Sequence, residues 1–303
     1  MKISVCIPTY NRLDFLQEAV SSCLSQTFLP YEVLIGDDSK NDDSKNYIES
    51  LINSKSTPVI IRYYKHPISL GQLANVNSLI DKAEGDKFVL LHDDDLFFPD
   101  ALETMINVCR KDNSIQVVYG KQLLIGDDGS DVDNTGFNER FFRTKKYEGH
   151  ILTSAEAAIV QQFPNDGYMI DMKIVKDLKY GKKESVGNAG DFDFGLRLGL
   201  KNLKFYYVDH FTAKYRISNE SVARNGTDSA YQSFKLIAAA PYTPKGFDYK
   251  AHILKTKAPM AIVQALRKGR KKEAFSIYFS KWHGNKIFTL GGIKRFLLLI
   301  FKF

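Results

Sequence analysis

Cysteine is scarce in this chain: Cys6, Cys23 and Cys109 are scattered through 303 residues, and no two form a C-x-x-C pair. That excludes a disulfide framework and argues against a structural zinc site. Reduced thiols in a cytosolic protein are the simple reading. Long apolar runs are also missing. The longest, Phe296–Phe301, is far short of the ~20 residues that span a bilayer. At the N-terminus the short run Ile3–Ile7 meets Pro8, whereas a secretory signal needs ~7–15 apolar residues and a cleavage site. The expected location is the cytoplasm, with peripheral attachment to the inner face of the cell membrane left open. With 44% apolar and 25% charged residues, the composition excludes disorder and low-complexity scaffolding. No repeat of a solenoid kind occurs. Phe and Tyr are plentiful but are not interleaved with basic residues, so no nucleic-acid partner is expected.

Charge is unevenly distributed. Residues 250–303 carry thirteen Lys and Arg against one acid, Glu273, for a net of +12. The first 249 residues hold 29 basic and 34 acidic side chains, a net of −5. A mildly acidic body with a basic tail suggests two tasks in one chain.

Strand-like runs at 3–7, 32–36, 59–64, 87–91 and 115–119 alternate with amphipathic helical patterns in the first 120 residues. This alternation predicts right-handed βαβ units, a parallel sheet and helices on both faces. Ligands bind beyond the carboxyl ends of such strands. Three of those ends are polar: Pro8-Thr9-Tyr10-Asn11-Arg12, Asp37-Asp38-Ser39 and His92-Asp93-Asp94-Asp95. They are expected to converge. Further on, the pattern predicts a turn at 127–130, a helix over 154–162, a loop at Pro164-Asn165-Asp166-Gly167 and a strand at 168–172. A helix from Asp191 to Leu200 and two short strands, 205–208 and 213–215, follow. From Ala251 the pattern is helical, with Lys and Arg on the polar face.

The triplet Asp93-Asp94-Asp95 follows the buried run Phe88–Leu91. Three adjacent carboxylates repel one another unless a cation or a helix start compensates. Mg²⁺ commonly takes one or two carboxylates plus substrate phosphates, so a metal–diphosphate site fits, and a solvated acidic turn is the alternative. Asp38 can accept from a pyrimidine N–H or ribose hydroxyls, or it can cap a helix. The sequons at Asn219 and Asn225 carry little weight, and the histidines lack metal-ligand spacing, although His210 could touch phosphate.

The segments Ile7–Arg12, Ile35–Ser39 and Leu91–Asp95 with Pro99 resemble glycosyltransferase family 2. Weaker likeness continues through Gly71 and Asn77, Gly190–Phe194 with Arg197, and Tyr215-Arg216 with Ser221. The resemblance covers roughly residues 1–225 and implies a GT-A fold: a Rossmann-like, mostly parallel sheet flanked by helices, with a helical C-terminal extension. It implies a nucleotide-binding half at about 1–120, an acceptor half at about 121–225, and a basic extension over 226–303. It also implies inverting transfer of a hexosyl or N-acetylhexosaminyl group from a nucleotide-sugar, a UDP-sugar first and a dTDP-sugar second. By the same resemblance Pro8, Thr9, Tyr10 and Arg12 line the nucleotide pocket and Asp38 contacts the base. Asp93 lies near the ribose, Arg216 near the phosphates, and Asp94 and Asp95 hold Mn²⁺ or Mg²⁺. Asp191 is the general base, with Asp193 the next candidate. The family often has an acid where His92 and Gly190 stand.

An inverting transfer needs a base on the acceptor hydroxyl and stabilisation of the departing diphosphate. Paired carboxylates also serve glycoside hydrolases, but acids clustered at strand ends favour metal–diphosphate binding. Two rivals remain. A sugar-phosphate nucleotidyltransferase has a glycine-rich loop after its first strand, and Pro8–Arg12 contains no glycine. A catalytically inactive nucleotide-sugar-binding module would be favoured by loss of Asp94 or Asp191, and both are present. The expected acceptor is a glycan or lipid-linked oligosaccharide of a bacterial surface polysaccharide. The tail is expected to meet either a membrane surface or protein, and a homodimer is left open.

Overall fold

The computed structural model describes residues 1–217 and 229–301. Ser221, the sequons at Asn219 and Asn225, the boundary at 225/226 and Lys302 lie outside the described residues.

Eight strands form one sheet: β1 (Ile3–Thr9), β2 (Glu32–Asp37), β3 (Ile60–Lys65), β4 (Lys87–Leu90), β5 (Leu96–Phe97), β6 (Val117–Ile125), β7 (Tyr168–Asp171) and β8 (Phe205–Arg216). Their order is β3-β2-β1-β4-β7-β6-β8-β5. The body's helices are α1 (Leu13–Leu24), α2 (Asp43–Ser54), α3 (Gln72–Lys82), α4 (Ala101–Lys111), α5 (Phe137–Arg140), α6 (Ser154–Ile159), α7 (Met172–Leu178), α8 (Lys183–Val186) and α9 (Gly190–Gly199). The extension adds α10 (Ser229–Ala239), α11 (Tyr249–Arg267), α12 (Lys271–Tyr278) and α13 (Leu290–Phe301).

The expected alternation is realised in β1 to β4, which pair in parallel. β1 and β2 are buried along their whole length, as strands covered on both faces must be. The run at 115–119 behaves differently. It opens the longer β6, and β7 inserts between β4 and β6, antiparallel to both. β8 then pairs parallel with β6, and β5 antiparallel with β8. The two short late strands are one strand, β8. Its partner register slips around Gly120, where a Cβ would sit 2.4 Å from the His210 carbonyl oxygen. The polar pair Asp209-His210 at that irregularity interrupts the apolar pattern and makes one strand look like two.

One core cluster packs α3, α6, α7 and α9 against one sheet face, with Phe88, Leu90, Tyr119, Tyr168 and Phe194 at its centre. On the other face Leu16, Val20, Ile48, Leu102 and Met105 bring in α1, α2 and α4. A third cluster joins Ile159 of α6 and Leu196 of α9 to Leu254, Ala258, Ile262, Tyr278 and Leu299 of the extension. Small residues at Ala258, Ala261 and Ala265 let α11 lie close to its neighbours. The three cysteines are buried free thiols. Among the described residues no helix is long and apolar enough to cross a membrane.

Candidate active site

In a sheet ordered β3-β2-β1-β4, the chain turns one way from β1 and returns on its other side at β4, so the loops after β1 and β4 diverge around a crevice. The polar clusters predicted from sequence meet there. Thr9 donates its hydroxyl to Asp93 at 2.7 Å, and the Tyr10 N–H points at the same carboxylate oxygen at 3.4 Å. Arg12 donates to Asp94 at 2.7 Å and lies 3.5 Å from Asp93. Asn11, in the left-handed region at φ 54°, donates its N–H to the Ser39 hydroxyl oxygen and links the first loop to the second. Pro8, one residue before the end of β1, is buried, whereas Tyr10 is exposed.

Asp38 is buried and holds the neighbouring loop rather than standing open. Its oxygens accept from the N–H groups of Leu70 (3.0 Å) and Gly71 (2.8 Å), and the His66 imidazole lies 3.0 Å away. Gly71 has φ 77°, which only glycine adopts readily, and this bend turns its N–H toward Asp38 before α3 starts. Asn77, further along α3, exchanges two hydrogen bonds with the backbone of Tyr180, tying the helix to the segment after α7.

Two carboxylates and an imidazole gather on the other side of the triplet. The ligand atoms of His92, Asp95 and Asp166 lie within 4.8 Å of one another. Asp166 comes from the loop before β7 and accepts from the His92 N–H (3.1 Å) and from Gln122 (3.0 Å). Asp95 accepts the Arg216 N–H at 2.7 Å through one oxygen, and its other oxygen is buried without a hydrogen-bond donor. Burial, reinforced by Asp166 and Asp94, raises the Asp95 pKa well above the carboxylate range. A proton or a cation must therefore offset that charge, and two hard oxygen donors beside an imidazole fit a divalent cation. Asp94 lies on the Arg12 side, ion-paired with its guanidinium. Asp93 is raised to about 6 by burial and by Asp94, against Thr9 and Arg12. Burial alone would depress the His92 imidazole, but Asp166, Asp191, Asp94 and Asp93 outweigh it and raise its pKa.

Asp191 opens α9. One of its oxygens is buried and unpartnered, and burial raises its pKa, opposed by His92 and assisted by Asp166. It lines a small pocket with Ala158, Gln161, Phe163, Asn165, Phe192 and Gly195. A Cβ on Gly190 would lie 2.5 Å from Leu73, so the glycine lets the first turn of α9 close onto α3. Asp193 is different in kind. It is held by Arg197 at 2.7 Å, and Arg197 also bonds the carbonyls of Leu178 and Lys179.

Arg216 is buried at the end of β8. Its guanidinium donates to the carbonyls of Asp94, Gly126 and Asp127 and to Glu18. His210 pairs with Asp100 at 2.9 Å. Sequence reasoning left out Asp166, His66 and Gln122. The signal for Asp166 is a polar loop just before a buried strand, Pro164–Gly167.

Comparison with known proteins agrees with this geometry. The family "Glycosyl transferase family 2" matches residues 4–162. A GalNAc(5)-diNAcBac-PP-undecaprenol beta-1,3-glucosyltransferase of Campylobacter jejuni is 25% identical over 234 residues, covering 77% of this chain and 71% of that one. The chondroitin synthase of Pasteurella multocida is 28% identical over 196 residues, 65% of this chain and 18% of that one. Among solved structures, S. aureus TarS 1-349 in complex with UDP superposes with a TM-score of 0.63 at 17% identity, covering 99% of this chain and 90% of that chain. The mannosyltransferase PcManGT from Pyrobaculum calidifontis, in complex with GDP-Man and Mn²⁺, gives 0.61 at 12% identity, covering 99% and 87%. The fold is that of the GT-A transferases, and with more than half of its length matched the chain belongs to glycosyltransferase family 2, the nucleotide-sugar transferases.

Proposed function

We propose that this glycosyltransferase moves a sugar, with inversion, from a UDP-sugar to a hydroxyl of a lipid-linked glycan during assembly of a bacterial surface polysaccharide. The observation that carries the reading is Asp191: a buried carboxylate with an unpartnered oxygen, lining a pocket next to the acidic strand ends. A base must be held near its acceptor without being neutralised by a salt bridge. Asp191 meets that requirement, and Asp193, paired with Arg197, does not.

In this reading Asp191 takes the proton of the attacking hydroxyl, and its raised pKa makes it a better base than an exposed aspartate. Thr9, Asp93 and Arg12 position the nucleotide, and Asp38 keeps the loop at 66–71 in place beside the base. His92, Asp95 and Asp166 are the residues that would hold Mn²⁺ or Mg²⁺, with Asp94 adjacent. Such a cation supplies a Lewis acid for the leaving diphosphate. Support for UDP comes from TarS, solved with UDP and UDP-GlcNAc. Support for a lipid-linked acceptor comes from the name of the Campylobacter relative. The nucleotide-binding half is assigned to about 1–120, the acceptor half to about 121–225, and the extension to 226–303. The protein is assigned to the cytoplasm.

The test is a panel of UDP-, dTDP- and GDP-sugars, read by thermal stabilisation and by release of the nucleotide diphosphate, with Mn²⁺, Mg²⁺ or excess EDTA. UDP-sugars should stabilise and turn over best, and EDTA should abolish turnover. Undiminished turnover in EDTA would remove the metal from the reading, and preference for GDP-sugars would remove UDP.

A further inference from the structure

The last helix turns its apolar side away from the protein. Of the residues of α13, Gly292 and Leu299 are buried. Leu290 is 89% exposed, and Ile293, Phe296, Leu297, Ile300 and Phe301 are exposed with it. At about 100° per residue these six fall within an arc of about 140°, while Leu299 points the other way into the core shared with α11 and α12. Phe288, just before the helix, is 93% exposed. Single exposed apolar residues are ordinary, but a contiguous face of this kind marks an interaction surface.

The charge around that face is of one sign. Lys294 is exposed on α13 itself, Lys281 is exposed on the segment that precedes it, Lys286 and Arg295 lie at its base, and Glu273 is the one acid from residue 250 onward. Burial lowers the pKa values of Lys286 and Arg295, with Arg295 adding to the effect on Lys286, and burial followed by both cations lowers that of His283 beside them. Residues 250–303 carry a net charge of +12, and Asp248 at the start of α11 is the acid that acts on Lys250. A helix of twelve residues is about 18 Å long, too short to cross a bilayer but suited to lying in its interface.

We infer that α13 and Phe288 form an in-plane membrane-docking surface for an anionic lipid bilayer. A second copy of the chain fits the surface less well, because docking face to face would bring two positive fields together. α13 is anchored through α11 and α12 to the core cluster that includes α6 and α9. Those two helices carry Ala158 and Asp191 of the candidate pocket. Docking would therefore hold the acceptor side of the enzyme at a fixed attitude to the lipid. The inference adds a partner to the proposed transferase and does not depend on its donor or acceptor.

The experiment is flotation of the full chain with phosphatidylcholine vesicles, with and without phosphatidylglycerol, at low and high salt and without substrate. The full chain should float with the anionic vesicles at least ten-fold more than with the neutral ones, and salt should weaken this. The double variant Leu297→Glu, Phe301→Glu should lose at least ten-fold of the binding. Both side chains are exposed, so its thermal melt should match the parent. Lys281→Glu with Lys294→Glu should reduce the preference for anionic lipid. Equal flotation of parent and double variant would overturn the inference, as would absence of flotation by the parent. A dimer seen in sedimentation that dissociates in the double variant would assign the face to a second copy and overturn it too. UDP-induced stabilisation is measured on the same proteins, so failure to bind lipid is distinguishable from failure to bind nucleotide.

Discussion

Buried charge divides the molecule. In residues 1–217 Glu32, Asp37, Asp38, Asp93, Asp95, Asp166, Arg143 and Arg216 are all buried, whereas the buried polar side chains of residues 229–301 are Ser233 and His283. Burying a charge costs several kcal/mol unless it is paired and hydrogen-bonded. The body meets that condition because its strand ends and loops leave backbone N–H groups unused by the sheet. Asp38 takes two of them from Leu70 and Gly71, Asp95 takes that of Arg216, and Asp166 takes that of His92. The helices of the extension spend most of their N–H groups internally and have few to offer. Lys257 apart, their charges stay outside, and their interior is alanine, leucine, isoleucine, phenylalanine and tyrosine. A sheet with crossover loops can therefore build a site from acids, while a helical layer on the same chain builds a platform.

The sharpest break in this comparison would come at Asp191, whose carboxylate has an unpartnered oxygen and lines the small pocket beside α6. Asp191→Asn keeps the shape and removes the proposed base, so kcat should fall about 10²–10⁴-fold, roughly 3–5 kcal/mol. Nucleotide affinity, measured by calorimetry with UDP, should change little, since Thr9, Arg12 and Asp93 are untouched. A kcat within a few-fold of the parent would move the base elsewhere and dissolve the distinction drawn between Asp191 and the salt-bridged Asp193.

A smaller effect, of opposite sign on stability, is expected at Asp95. Without a cation its carboxyl is held against Asp166 with one oxygen lacking a donor, and burial and Asp166 disfavour its charged form. Asp95→Asn should relieve that repulsion and raise the melting temperature in EDTA, by about 1–2 kcal/mol of stability. The same variant should lose the stabilisation that Mn²⁺ gives the parent, because one of the three donors is gone. Retention of the full Mn²⁺-induced shift would show that His92 and Asp166 do not depend on Asp95 for the ion, and would transfer weight to Asp94.

The sequence made the body legible to the degree that its signals were local. β1 to β4 and their helices follow from apolar runs and 3.6-residue periodicity, and the three polar strand ends converge because parallel strands place their carboxyl ends together. The antiparallel insertion of β7 between β4 and β6 was not legible. It is a long-range pairing of Phe88 with Ile170 and of Val118 with Met169, and nothing local in a four-residue strand announces its neighbours. Asp166 was missed for the same reason, since it enters the site only through that insertion. The extension was legible in composition, as charge and helical pattern. That Leu290, Leu297 and Phe301 stay exposed while Leu299 is buried depends on how α13 lies against α11 and α12.

Lys257 is where the extension's charge enters the body, and it gives the smallest effect. From α11 it donates to the side-chain oxygen of Gln161 at 3.0 Å and lies 5.9 Å from the Phe192 ring centroid, both residues of the Asp191 pocket. Burial, followed by repulsion from Arg140, lowers its pKa to about 8. An unfolded lysine holds its proton to about pH 10.4. Between about pH 8 and that value the unfolded chain binds more protons, so this group makes stability rise with pH. At pH 7 both states are charged and the cost of burying the ammonium is fully present. Lys257→Met should therefore stabilise the protein at pH 7 by about 1–2 kcal/mol, after allowing for the lost Gln161 contact and for partial solvent screening. That corresponds to a few degrees of melting temperature. The gap between variant and parent should shrink steadily from pH 8 to pH 10. If it stays constant across that range, the lysine is not carrying a buried charge, and the division between an acid-burying body and a charge-exposing extension holds without exception.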